Sequence, residues 1–239
     1  MLGFDRTSIS AAEQEADPRV EGMREAVAKA KVNNPFVVFE ATGNDLVYAI
    51  FDCAKNDDGV HLEKALGIAG ALAGFACAMT AGLQDEMVLN TSSKMPRRKR
   101  IEHILRDSSS SLWNVLSKKA DALGDGTDYD VASAMQRGFD AADAGTTFDP
   151  DMPEGHQLSE TPLSLVMDHW YEMLPLLNRY DEHFNSWPVS WAAACAQLME
   201  MGKDAIPPSA ALQIMMEYAV PMTLIGPSHS VAKRETEAA

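Results

Sequence analysis

Apolar residues recur at helical spacing along most of the chain, and prolines and glycines cut the pattern into segments. Asp17-Pro18 opens the first: an acceptor for free amides, then a proline where no N–H is needed. Val20, Met23, Val27 and Ala30 then share one side until Asn33-Asn34-Pro35. Phe36-Val37-Val38-Phe39 fits a short strand, yet no partner strand follows and a lone strand is not stable, so its state stays open. Thr42-Gly43-Asn44 reads as a turn, with Asn44 or Asp45 capping a helix to about Asn56, and Asn56-Asp57-Asp58-Gly59 breaks the chain again.

The next helix, about 60–89, is predicted to lie at the centre. Ala65 to Leu83 contains no charge, and seven alanines and four glycines make it small-sided rather than lipophilic. Its length permits a membrane span; its composition fits better a buried helix that neighbours approach closely. Gly67, Gly70 and Gly74 fall on one side, and each costs the helix up to about 1 kcal/mol relative to alanine. Close helix contact is the expected return.

Residues 96–123 read as one long helix or two in line, with Ile101, Ile104, Leu105, Leu112, Val115, Leu116 and Leu123 on one face and Gly124 as the stop. A short helix follows to about Ala144. Residues 145–160 lack periodicity and are the candidate lid or subdomain joint. Thr161-Pro162 starts a helix whose expected core face is Leu163, Val166, Met167, Trp170, Leu174 and Leu177, with a kink at Pro175. Trp187-Pro188 starts the next, with Trp191, Cys195 and Leu198 inward and Gly202 as the stop. Pro207-Pro208-Ser209 starts the last, expected to end before Pro221. The prediction is a single all-α domain over 17–226, about seven to eight helices packed around the 60–89 helix. Residues 1–16 form a flexible lead and 227–239 a flexible tail.

Composition is that of a globular protein, 46% apolar and 23% charged. Cys53, Cys77 and Cys195 are odd in number and set in apolar helical patterns, which suggests buried free thiols in a reducing compartment. The N-terminus lacks a basic stretch followed by an apolar core, so a cytoplasmic location is expected. A net charge of −15 argues against binding nucleic acid or an anionic membrane. Residues 94–119 run the other way, with eight basic and two acidic groups, among them Lys94, Arg97, Arg98, Lys99, Arg100 and Arg106. A solvated helix face docked on acidic neighbours accounts for them.

Three constellations are candidates for chemistry. Asp125, Asp128 and Asp130 stand close together on a glycine-flanked loop and could hold a hard cation through oxygen. Gly124-Asp125-Gly126-Thr127-Asp128-Tyr129-Asp130, with Met135-Gln136-Arg137-Gly138-Phe139 beyond it, resembles the magnesium-binding loop of the dihydroxyacetone-kinase nucleotide domain, itself all-α. There Gly-Asp-Gly-Asp-His-Gly precedes Met-x-Arg-Gly-Phe. The likeness covers only Gly124 to Phe139; this loop is longer, lacks the histidine, and is not followed by a Gly-Ala-Ser-Gly loop to cover a phosphate. Arg98 and His103 have a spacing similar to that of helical ribonucleases of the HEPN class, but that spacing is common by chance in a basic run, and a helix-face histidine is the better account of His103. Finally, His169 and Glu172 are three apart and share a face, as a metal or ligand site needs, with Trp170 and His183 nearby in sequence. Phosphate-loop, dinucleotide, zincin and hydrolase motifs are missing. The expected function is therefore a non-catalytic cytoplasmic binding or assembly protein, including self-association. The alternative is a metal- or phosphate-dependent enzyme using the Asp125–Asp130 loop or the His169/His183 region. No cofactor is identified.

Overall fold

The computed structural model describes residues 18–57, 59–87, 95–180 and 182–224. The expected lead, tail and Lys94 lie outside these. Helices α1 (Pro18–Lys31) and α2 (Val37–Ala54) come first. A two-residue antiparallel hairpin, β1 (Lys55–Asn56) and β2 (Gly59–Val60), turns the chain into α3 (Leu62–Met87). Then follow α4 (Arg97–Glu102), a π-type turn (His103–Asp107), α5 (Leu112–Ala122) and α6 (Val131–Ala144). The last three are α7 (Pro162–Leu177), α8 (Trp187–Gly202) and α9 (Pro208–Thr223). The fold is all-α, and α3 is its centre, with α9, α8, α7, α2 and α4 packed around it.

The small residues of α3 do what their pattern predicts. A Cβ on Gly70 would sit 2.8 Å from Met215 Cα, and one on Gly74 would sit 2.7 Å from Ala219 Cα, inside any real contact distance. Two glycines on α3 thus admit the backbone of α9, one turn apart on each helix. Gly67 instead receives the side chain of Leu158. The stretch Leu62–Gly82 is long and apolar enough to cross a membrane, but 89% of its most apolar window is buried by the rest of the protein.

Several boundaries differ from expectation. Thr42-Gly43-Asn44 is not a turn: α2 begins at Val37 and runs straight through, so Phe36–Phe39 belongs to its start rather than to a strand. Gly43 serves packing, since a Cβ there would lie 3.1 Å from the Ala194 amide on α8. Of the two forms expected for 96–123 the chain takes the second, two helices with the π-type turn between them, because Ser111 caps the later one by accepting from the Asn114 amide, while the Asn114 side chain donates to the carbonyls of Arg106 and Ser108. Pro221 lies inside α9, which continues to Thr223. On α7 the buried face is Leu165, Val166, Trp170, Met173, Leu176 and Leu177, while Leu163 and Met167 are on the outside. None of the residues of α1 is buried, despite its apolar stripe.

Residues 145–160 are fastened down rather than free to act as a lid. The fully buried Glu217 accepts from the Asp151 amide at 2.9 Å, from Tyr129 Oη at 2.7 Å and from Arg137 at 2.5 Å. Gln213 donates to the Asp151 carbonyl, Tyr218 to the Glu160 carbonyl, and Lys64 pairs with Glu160. Every lone-pair direction used on Glu217 faces a different segment, so one carboxylate joins α9 to α6 and to both flanking loops.

A second buried carboxylate, Glu182, joins α2 to α8 through hydrogen bonds from Thr42 and Ser190. Burial raises its pKa, and these two hydroxyls only partly oppose that. A raised carboxyl pKa means stability that is complete at acid pH and declines as pH rises through the folded-state value. Glu182→Gln should therefore gain stability over wild type at pH 8, with the gain shrinking towards pH 4; urea midpoints across that range check it. At the α3–α9 contact, Gly74→Ala should cost about 1–3 kcal/mol by overpacking, although alanine ordinarily favours a helix by up to ~1 kcal/mol. Gly22→Ala, on the open side of α1, should be neutral or stabilising by up to about 1 kcal/mol. The same denaturation series compares the two.

Candidate functional site

Of the predicted site residues, His169 and Glu172 are brought together with a third group from elsewhere in the chain. On α7 they project from one side, as their spacing requires. Across from them α2 delivers Cys53. Its Sγ lies 3.5 Å from Glu172 Oε2, and His169 Nδ1 lies 3.6 Å from the same oxygen. One donor atom from each residue falls within 4.8 Å of the other two. His169 Nδ1 is buried yet makes no hydrogen bond. The Cys53 thiol is pushed up to about 12, first by burial and then by the neighbouring Glu172 charge. Lys64 acts in the other direction, but its ammonium is held by Glu160 at 3.0 Å.

Cys53 and Glu172 form one end of an open cleft of about 410 Å³ between α1, α2 and α7. Asp45, Tyr48 and Asp52 line it from α2, Met173 and Leu176 from α7, and Val20 from α1. At its far end Arg179 donates to Asp45 at 2.7 Å, and Tyr180 Oη donates to the same oxygen at 3.0 Å. The Asp45 charge is thus balanced, whereas Asp52 and Glu172 face the solvent-open part.

The other predicted residues do different work. Trp170, next to His169, is rotated about 100° round the helix and is buried in the core. It packs edge-on against Phe75 at 4.8 Å and Trp187 at 6.0 Å. His183 is exposed; its Nδ1 accepts from the Asn185 amide at the start of the 184–186 turn, and its ring rests on Phe184. Two of the three carboxylates of the Asp125–Asp130 loop serve helix starts. Asp125 accepts from the Ser209 amide of α9 at 2.8 Å, a bond that lowers its pKa. Asp130 accepts from the Ala132 and Ser133 amides of α6. Asp128 is exposed between them. Each capping bond fills an orphan helical amide.

The basic segment docks on acidic and aromatic neighbours in part. Arg98 lies 3.6 Å over the Phe139 ring and pairs with Glu102 and Asp143. Arg100 donates to the Met95 carbonyl, and Arg106 bonds Asp107. His103 is exposed on the π-type turn.

Sequence reading missed Cys53, which it took for a buried thiol. Cys77 and Cys195 are buried, but Cys53 is only half-buried. The available signal was Asp45, Ala49, Asp52 and Cys53, a mixed polar row at helical spacing on an otherwise apolar helix. Comparison with known proteins adds no relative: no family model matches the chain, no curated protein matches it, and no solved structure matches its fold.

Proposed function

We propose that this is a helical binding protein whose ligand is a small cation taken into the cleft between α1, α2 and α7. The charge of the cleft carries the reading. Asp52 and Glu172 present carboxylates to an opening of about 410 Å³, while Arg179, the cation among the described lining residues, is engaged by Asp45. A cleft of this volume is in the range of small-molecule sites, and unbalanced carboxylates with the exposed Tyr48 ring favour positive charge. The net charge of −15 adds a long-range attraction for cations. A cytoplasmic location goes with this reading, supported by three free cysteines.

The outer row of α7 favours a second reading, self-association. Leu163, Met167 and Tyr171 succeed one another every four residues and are 36%, 37% and 65% exposed. Such a row on the outside of a helix fits the same row on a second copy.

Two measurements follow. Titration of metal-free protein with 1,4-diaminobutane by calorimetry should give saturable binding that weakens about tenfold in Asp52→Asn, roughly 1.4 kcal/mol; equal heats from the two proteins would refute the cleft reading. Light scattering after size exclusion should give a mass above 26.0 kDa that rises with concentration, and Met167→Glu should return it to the single-chain value. A constant single-chain mass would remove self-association.

A further inference from the structure

We propose that Cys53, His169 and Glu172 form a binding site for zinc, with its fourth coordination position open to the cleft. This rests on the cleft reading and specifies the cation at its near end. The donor set comes first. A thiolate, an imidazole nitrogen and a carboxylate oxygen are the three ligand types zinc takes from proteins. Magnesium and calcium take oxygen and would leave the sulfur and nitrogen unused.

Geometry comes next. Zinc bonds of about 2.3 Å to sulfur and 2.0–2.2 Å to nitrogen and oxygen, at a tetrahedral angle, put neighbouring ligand atoms about 3.3–3.7 Å apart. The sulfur–oxygen and nitrogen–oxygen separations are 3.5 and 3.6 Å. The third, sulfur to nitrogen, is within 4.8 Å and closes with a small side-chain movement. Two of the three ligands come from one rigid helix and the third from a helix packed on it, so the set is preorganised.

The unspent valence of His169 is the independent sign. Its Nδ1 is buried and makes no hydrogen bond, while it lies 3.6 Å from Glu172 Oε2. A buried ring nitrogen in this position is normally satisfied, and a metal bond satisfies it. Charge agrees: one thiolate and one carboxylate neutralise a divalent ion, and the ion removes their mutual repulsion. On binding, the Cys53 S–H bond breaks, its proton passes to solvent, and a zinc–sulfur bond forms with no change of oxidation state. Three protein ligands leave one position, filled by water, facing the cleft beside Asp52.

The test uses tag-free full-length protein stripped with chelator. Calorimetry should show one zinc per chain with a dissociation constant below 1 µM, a standard set by structural and catalytic zinc sites generally. Cobalt should give thiolate-to-metal absorption in the near ultraviolet and tetrahedral bands in the visible. Cys53→Ser should abolish the thiolate band, and His169→Gln and Glu172→Gln should each weaken zinc at least about tenfold, with helical circular dichroism unchanged in all three. Magnesium and calcium at equal concentration should give no heat. Absence of zinc binding by folded wild type, or a thiolate–cobalt band that survives Cys53→Ser, overturns the proposal. Loss of zinc binding with diaminobutane binding intact would refute the metal site while leaving the cleft reading standing; loss of diaminobutane binding with the zinc site intact would do the reverse.

Discussion

The contact between α3 and α9 at Gly70 and Gly74 sets the spacing of the whole bundle. Without side chains at these two points, the helix backbones meet, and the remaining helices pack at the distances this contact leaves. An alanine-rich helix has little area of its own to bury, so its stabilisation comes from being surrounded. The larger side chains are supplied by its neighbours: Met215 and Met216 from α9, Trp191 and Leu198 from α8, Leu165 and Trp170 from α7. Dispersion is effective here because atoms approach on every side of a thin central rod.

Buried carboxylates perform a complementary task. Apolar packing is indifferent to small slips, whereas a hydrogen-bonded carboxylate accepts only one arrangement of donors. Glu217 fixes the two loops flanking α6 against α9, and Glu182 fixes α2 against α8. The contacts at Glu217 also account for the length of residues 145–160, which must travel from α6 across α9 and the start of α3 before α7 begins.

Helix starts were legible where chemistry at the cap is local. Thr161-Pro162, Trp187-Pro188 and Pro207-Pro208 all open helices, and Gly124 and Gly145 take positive φ just past the ends of α5 and α6. What failed depended on partners distant in sequence. Gly43 resembles a turn residue unless Ala193 and Ala194 are known to press on it. Leu163 and Met167 fit the helical period of a core face as well as Leu165 and Met173 do, and only the neighbours decide which side is inward. At the candidate site, the spacing of His169 and Glu172 could be read from one helix. Cys53 could not, since its approach is created by the packing of α2 on α7, and neither helix encodes it alone. The aspartate loop is ambiguous for the opposite reason: acidic residues that look available for a cation are also the best caps for the helices that begin there and at α9.

The pairing of an early helix with the last one has a consequence for how the chain is made. During synthesis α3 emerges long before α9, and its Gly70 and Gly74 side has no permanent cover until Pro208–Thr223 has left the ribosome. The core therefore closes late, and the nascent chain presents a sticky, small-sided helix throughout translation of everything between. Nascent-chain stalling or premature termination anywhere before α9 yields a product without its central contact, suited to capture by chaperones rather than to autonomous folding. The glycines that make the mature bundle tight thus also make the closing of its core wait for α9.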